Sequence, residues 1–163
     1  AVIGSDHARL EVRSITGDLL QRLNYKISGD TLTLSDLQYE AMKTVRISVF
    51  VPKAVLKGIT VNAAEANVKG LNQKRLYISQ NAARIWMTGN KIGKIQMNVS
   101  GRSHLDISAT ALDTLSAKID NSEILIYSPV GRLEGSMENN SFMRMGDIGK
   151  IEFSKDKSSR LDL

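Results

Sequence analysis

The chain has 163 residues with no Cys, 2 Pro, 12 Gly and only 1 Trp, 4 Tyr and 3 Phe. Without Cys there is no disulfide framework, thiolate metal site or Cys nucleophile, and two His exclude a His-rich metal site, so no metal or cofactor is expected. The formal charge of +5 is compatible with an anionic partner without requiring one. Hydrophobic residues make up 42%, which excludes a disordered tail, and the few aromatics mean a mostly aliphatic core. No run approaches the ~20 apolar residues of a membrane span. The chain starts at Ala1 rather than Met, which reads as a mature or trimmed protein whose leader carried its address.

The first fifty residues show no repeat. Leu10 and Val12 alternate in one short strand. Asp18 to Leu23 suits a helical turn capped by Asp18. Tyr25-Lys26-Ile27, Ser28-Gly29-Asp30 and Leu32-Thr33-Leu34 read as a hairpin. Residues 36–44 read as a connecting loop. Val45, Ile47, Val49 and Val51 form the strongest alternating strand, stopped by Pro52.

From about residue 55 the chain repeats itself. Ile92-Gly93-Lys94-Ile95 returns as Leu112-Asp113-Thr114-Leu115, Val130-Gly131-Arg132-Leu133 and Ile148-Gly149-Lys150-Ile151. Leu56-Lys57-Gly58-Ile59 is an earlier copy, and Leu71 to Leu76 a looser one. Taking Ile59, Leu76, Ile95, Leu115, Leu133 and Ile151 as equivalent gives a unit of 17 to 20 residues. Helical repeats need about 33 residues or more, so the unit suits one coil of a parallel β-solenoid.

Within a unit the pattern has period two, as in Ile95, Met97 and Val99. Polar corners follow, such as Ser100-Gly101-Arg102-Ser103 and Asp120-Asn121-Ser122. A second strand then supplies Leu105/Ile107, Ile124/Ile126, Met143/Met145 and Leu161/Leu163, with Ile85/Met87 and Val68/Gly70 as earlier equivalents. Ile92, Leu112, Val130 and Ile148 supply a third wall. The fold expected is all-β: a single-stranded, three-sided parallel β-helix forming one domain over 1–163. Residues 1–54 cap it and 55–163 form the coils. An antiparallel sandwich is the competing reading, since it also uses short alternating strands.

The strand order, the hairpin at Gly29-Asp30, the strand Val45 to Pro52 and coils such as Val99-Ser100-Gly101-Arg102-Ser103-His104-Leu105-Asp106-Ile107 resemble the head GIN domain family. That family is described as adhesin heads of auto-transporters and is common in Bacteroidetes. The resemblance covers nearly the whole chain. It implies a right-handed β-helix, export to the cell envelope, often a lipoprotein anchor, and no established catalytic residues. On that basis the protein is expected in the periplasm, on the outer-membrane surface or outside the cell.

Stacked coils turn repeats into surface ladders. Lys57, Lys74, Lys94, Arg132 and Lys150 align near one edge, interrupted by Thr114. Such a row could track an anionic glycan or lipid headgroups. The bland alternative is that these charges solvate a sheet edge, and Glu134 and Glu152 weaken the field. Tyr77, Trp86, Leu125 and Phe142 fall at outward positions and are candidate contacts for a sugar or a protein partner. Trp86 could equally be covered by the N-terminal segment.

Asp120, Glu138 and Asp156 align at a turn, where hydrogen bonds to the turn backbone are favoured over a cation site or an acid pair. His104, Asp106 and Ser108 suggest a triad, but nothing supplies an oxyanion hole. No enzyme is expected, and no nucleic acid as partner. The leading expectation is a non-catalytic envelope domain that acts as an adhesin or binds glycan or lipid. The alternatives are a β-helical polysaccharide lyase or hydrolase, and a structural solenoid that self-assembles. Leu161-Asp162-Leu163 ends the chain in mid-strand pattern, so either the natural protein continues or this end packs on another subunit in a homo-oligomer.

Overall fold

Period-two alternation repeated every coil leaves each coil with a row of inward apolar side chains and unpaired strand edges. Both needs are met by stacking coils in parallel. The computed structural model describes residues 1–14, 24–35, 45–52, 56–108 and 110–163. It is a parallel β-solenoid of about five turns, and among the described residues there is no helix. The helical turn expected at 18–23 and the loop at 36–44 lie outside the described residues.

Six strands form one wall: β6 (Gly58–Asn62), β8 (Asn72–Asn81), β10 (Lys91–Ser100), β12 (Ala111–Asp120), β14 (Val130–Glu138) and β16 (Ile148–Lys155). A second sheet runs through β7 (Glu65–Lys69), β9 (Arg84–Thr88), β11 (His104–Ser108), β13 (Glu123–Ile126), β15 (Phe142–Met145) and β17 (Arg160–Asp162). Beyond β7 it continues through β1 (Val2–Ser5) and β5 (Val45–Pro52), both parallel, and ends on the antiparallel β2 (Arg9–Ser14). The hairpin β3 (Asn24–Ser28) and β4 (Thr31–Ser35) makes a separate two-stranded sheet, with Gly29 in the turn at φ +59°. β1 was not foreseen, because four residues are too few to show alternation.

The third wall is not a separate sheet. Ile92 and Ile95 are both buried although three residues apart, so the alternation slips at Gly93–Lys94 and the strand turns a corner there. Coils approach closely at this corner. A Cβ on Gly131 would lie 2.7 Å from the carbonyl oxygen of Asp113, which explains a glycine in the repeat.

Leu76, Ile95, Leu115 and Leu133 stack as one buried row through the hydrogen-bonded registers. Burying each contributes roughly 1.5–3 kcal/mol relative to exposure. Ile151 completes the row but is 42% exposed, because no described coil lies beyond it. The register of the first coil corrects the expectation. Ile59 pairs with Ile78, not Leu76, and Val68 pairs with Met87, so that Ala66 and Val68, not Val68 and Gly70, match Ile85 and Met87. Either alignment sets Ile59 opposite an apolar residue, and the corner decides between them: Ala63 and Ala82 share a left-handed backbone and sit at the same turn.

One inner corner is polar and satisfied. Ser103, Ser122, Ser141 and Ser159 are all buried. The N–H of Ala83 donates to Ser103 Oγ (3.2 Å), that of Ser103 to Ser122 Oγ (3.1 Å), that of Ser122 to Ser141 Oγ (3.4 Å) and that of Ser141 to Ser159 Oγ (3.1 Å). Each N–H at this bend falls between sheets, and a hydroxyl from the next coil replaces the missing ladder bond.

Candidate functional site

The expected basic row forms in part. The register aligns Arg75, Lys94, Thr114, Arg132 and Lys150. Lys74 is displaced by one position and falls beside Gly93. Lys57 falls opposite Leu76, and its ammonium pairs with Asp30 of the hairpin at 3.0 Å. Both therefore leave the row, Lys57 by the register slip that moved Ile59 and Lys74 because it stands one residue before Arg75, which takes the place.

The C-terminal members of the row are already engaged. The neighbouring outward row holds Tyr77, Gln96, Ser116, Glu134 and Glu152. Lys94 Nζ reaches over β12 to Glu134 Oε1 at 2.7 Å. Arg132 contacts Glu134 at 3.5 Å and also pairs with Glu152, which in turn lies 2.7 Å from Lys150 Nζ. The hydrogen bond from Lys94 holds the Glu134 carboxyl below its ordinary range, and that from Lys150 does the same for Glu152. Three cations thus share two carboxylates, which weakens the field that the row offers an anion without cancelling it.

The turn acids cap the corner they sit on. Asp120 Oδ1 accepts from Asn139 Nδ2 at 2.7 Å. Asp156 accepts from the N–H groups of Asn139 (3.0 Å) and Ser159 (2.9 Å) and from Ser158 Oγ (2.9 Å). Hydrogen bonds from Ser159 and the Asn139 backbone pull its pKa from 3.8 to about 2. Among the described residues no group of three or more His, Cys, Asp or Glu could hold a metal ion.

The outer face of the nine-stranded sheet differs. One row runs Asn67, Trp86, Asp106, Leu125, Arg144 and Asp162. The flanking row runs Glu65, Arg84, His104, Glu123, Phe142 and Arg160. Trp86, the single tryptophan, is half-buried in a depression of about 570 Å³. Glu65, Asn67, Thr88, Asp106 and Ser108 line it with Trp86 and the edge of Met87. Every one of these except Met87 points outward, as the strand period requires.

His104 is clasped between two carboxylates. Its Nε2 lies 3.1 Å from Asp106 Oδ2 on its own strand, and its Nδ1 lies 2.9 Å from Glu123 Oε2 on the next coil. The His104–Asp106 half of the suspected triad therefore exists. Ser108 is four residues from His104, about 13 Å along the strand, so no nucleophile meets the imidazole. Asp106 Oδ1 is shielded from solvent and has no hydrogen-bond partner.

The remaining outward candidates scatter. Leu125 shares the row of Trp86 and is half-buried. Phe142 lies one row away, with the guanidinium groups of Arg144 and Arg160 at 5.4 Å and 5.8 Å from its ring centre. Tyr77 sits on the other sheet, where its hydroxyl accepts from Asn98 Nδ2 at 2.9 Å. Glu65, Asn67, Thr88 and Glu123 were not singled out from the sequence. Counting two residues either way along the strand, and one coil either way from Trp86 or His104, finds them once the register is correct. A search of protein-family models, curated proteins and solved structures finds no match to this chain.

Proposed function

We propose that this solenoid is a non-catalytic carbohydrate-binding domain whose ligand face is the outer surface of the nine-stranded sheet around Trp86. The observation that carries the reading is the position of that side chain. The one tryptophan is absent from an otherwise aliphatic core and stands in a depression walled by carboxylates, an amide and hydroxyls. A partly exposed indole offers an apolar ring face beside polar groups, the combination on which a ligand ring can stack. The C–H face of a pyranose ring supplies that contact, and its hydroxyls match the polar wall.

The resemblance to envelope adhesin heads agrees with a surface that meets glycans outside the cell. The non-catalytic part of the reading is supported by the His104 clasp, which engages the imidazole at both nitrogens and leaves no adjacent nucleophile. The single tryptophan makes the test direct. Intrinsic fluorescence is titrated with soluble oligosaccharides and with phospholipid vesicles, and the sugars are assayed for new reducing ends. The reading expects a saturable change with a glycan, none with vesicles, and no cleavage. Silence across the glycans contradicts binding at this face, and released reducing ends contradict the non-catalytic assignment.

A further inference from the structure

We infer that the Trp86 depression selects neutral pyranose glycans over acidic ones, with Asp106 Oδ1 accepting a ligand hydroxyl; this rests on reading the depression as a glycan site. An ionised carboxylate offers about four acceptor positions on its two oxygens. In Asp106 one oxygen is engaged by His104 Nε2 at 3.1 Å. The other, Oδ1, has no donor within the protein and is closed to bulk water. A buried acceptor left unmatched calls for a cause, and of the four such atoms among the described residues (Gln73 Oε1, Gln80 Oε1, Arg132 Nε and Asp106 Oδ1) the last is the carboxylate oxygen and belongs to a residue that borders the depression.

The geometry keeps the protein from curing this defect itself. His104 is held at its second nitrogen by Glu123, 2.9 Å away on the next coil, so the imidazole cannot swing to serve Oδ1 without breaking that contact. The clasp fixes the carboxylate with one oxygen committed and one vacant. Asp106 lies directly opposite Trp86 on the neighbouring coil, and both border the depression. A donor that enters there and shifts the side chains over Oδ1 gains a charge-assisted hydrogen bond.

The wall decides which donor. It carries the carboxylates of Glu65 and Asp106 and no Lys or Arg among its lining residues. Arg84 stands in the flanking row between Glu65 and His104 and does not border the depression. A uronate, sulfate or phosphate would meet two carboxylates at the wall itself, the nearest cations, Arg84 and Lys69, standing in the rows on either side. A neutral sugar brings hydroxyl donors for Asp106, Glu65 and Asn67 and an apolar ring face for Trp86. The basic row on the other sheet is a weaker competitor, because three of its four cations, Lys94, Arg132 and Lys150, are bound to Glu134 and Glu152.

The test uses the full chain and the Trp86 signal. Neutral hexose oligomers and oligogalacturonate are titrated against wild type, Asp106→Ala, Asp106→Asn and Glu65→Gln, each checked by circular dichroism and thermal melting. Wild type is expected to bind a neutral oligomer at least ~10-fold more tightly than oligogalacturonate, a difference of about 1.4 kcal/mol. Asp106→Ala is expected to weaken neutral binding at least ~10-fold while the fold is kept. Asp106→Asn, which keeps the shape and loses the charge, is expected to weaken it less. Glu65→Gln is expected to narrow the gap between neutral and acidic ligands. Equal or tighter binding of oligogalacturonate, or neutral binding unchanged in folded Asp106→Ala, overturns the selectivity and leaves the glycan reading standing. Silence of every oligosaccharide overturns the glycan reading itself.

Discussion

Two outward surfaces are built by the same repeat and end in opposite states. On the six-stranded sheet, Lys94, Arg132 and Lys150 form a row, and each is bonded to Glu134 or Glu152. On the nine-stranded sheet, Trp86 stands in a polar depression and Asp106 keeps an oxygen with no donor. The charged row looks more like a binding site in sequence, yet three of its four cations are tied to carboxylates, although Arg132 Nε has no hydrogen-bond acceptor. On the quieter face the unmatched atom is a carboxylate oxygen, and it belongs to a residue that borders a depression. Surface charge in a solenoid is therefore a poor guide to ligands until the register shows which charges face each other.

The largest expected effect removes the scaffold that both faces share. Leu115 is fully buried in the central row, so Leu115→Ala is expected to destabilise the domain by about 2–5 kcal/mol in denaturant unfolding. Both surfaces should fail together. A loss well under 1 kcal/mol would mean that the stacked row is not the core.

How much of this was legible follows from the same geometry. The repeat, the two-residue period and the polar corners specified the solenoid, because apolar rows such as Ile95–Leu115–Leu133 align wherever units have nearly equal length. The first coil was misaligned because Leu56-Lys57-Gly58-Ile59 resembles the later units two residues out of phase, although in register this coil is as long as the next. That slip put Lys57 in the row, whereas Lys74 was misplaced separately by one residue, because with Leu76 opposite Ile95 it is Arg75 that lies opposite Lys94. Trp86 and Asp106 were placed in the right row, since both lie in well-repeated coils. The clasp on His104 was half visible: Asp106 is two residues away in sequence, whereas Glu123 is 19 away and meets it only through stacking. Gln80, buried and donating to the carbonyls of Ala83 and His104, replaces an apolar residue of the row and left no signal in the pattern.

The next effect separates the two faces. Trp86→Ala is expected to lower affinity for a neutral oligosaccharide at least ~10-fold by calorimetry, with unfolding little changed. Retained affinity would move the site elsewhere. A smaller effect is expected from Glu134→Gln, which releases Lys94 and part of Arg132 without touching the core. Stability should change little, as for exposed ion pairs generally, while weak, salt-sensitive binding of an acidic oligosaccharide should appear. Its absence would show that Glu134 is not what silences the row.

The smallest effect concerns acid. Asp156 has its pKa lowered from 3.8 to about 2 by hydrogen bonds from Ser159 and Asn139. A depressed carboxylate adds stability above its unfolded pKa and loses it as pH falls through the folded one. The melting temperature should therefore fall as the pH drops from about 4 to about 2. Asp30, Glu134, Glu152 and Asp162 are shifted in the same direction and add to that decline. Asp156→Asn should flatten the slope; an unchanged slope would remove this turn from the account.

The most direct measurement of the central claim is a glycan array read at two salt concentrations with three proteins: wild type, Trp86→Ala, and Lys94→Gln/Arg132→Gln/Lys150→Gln. The account predicts a signal on neutral glycans that is insensitive to salt, survives the triple substitution and disappears in Trp86→Ala. A signal that falls with salt and with the triple substitution, and persists in Trp86→Ala, would contradict it and return the binding surface to the basic row.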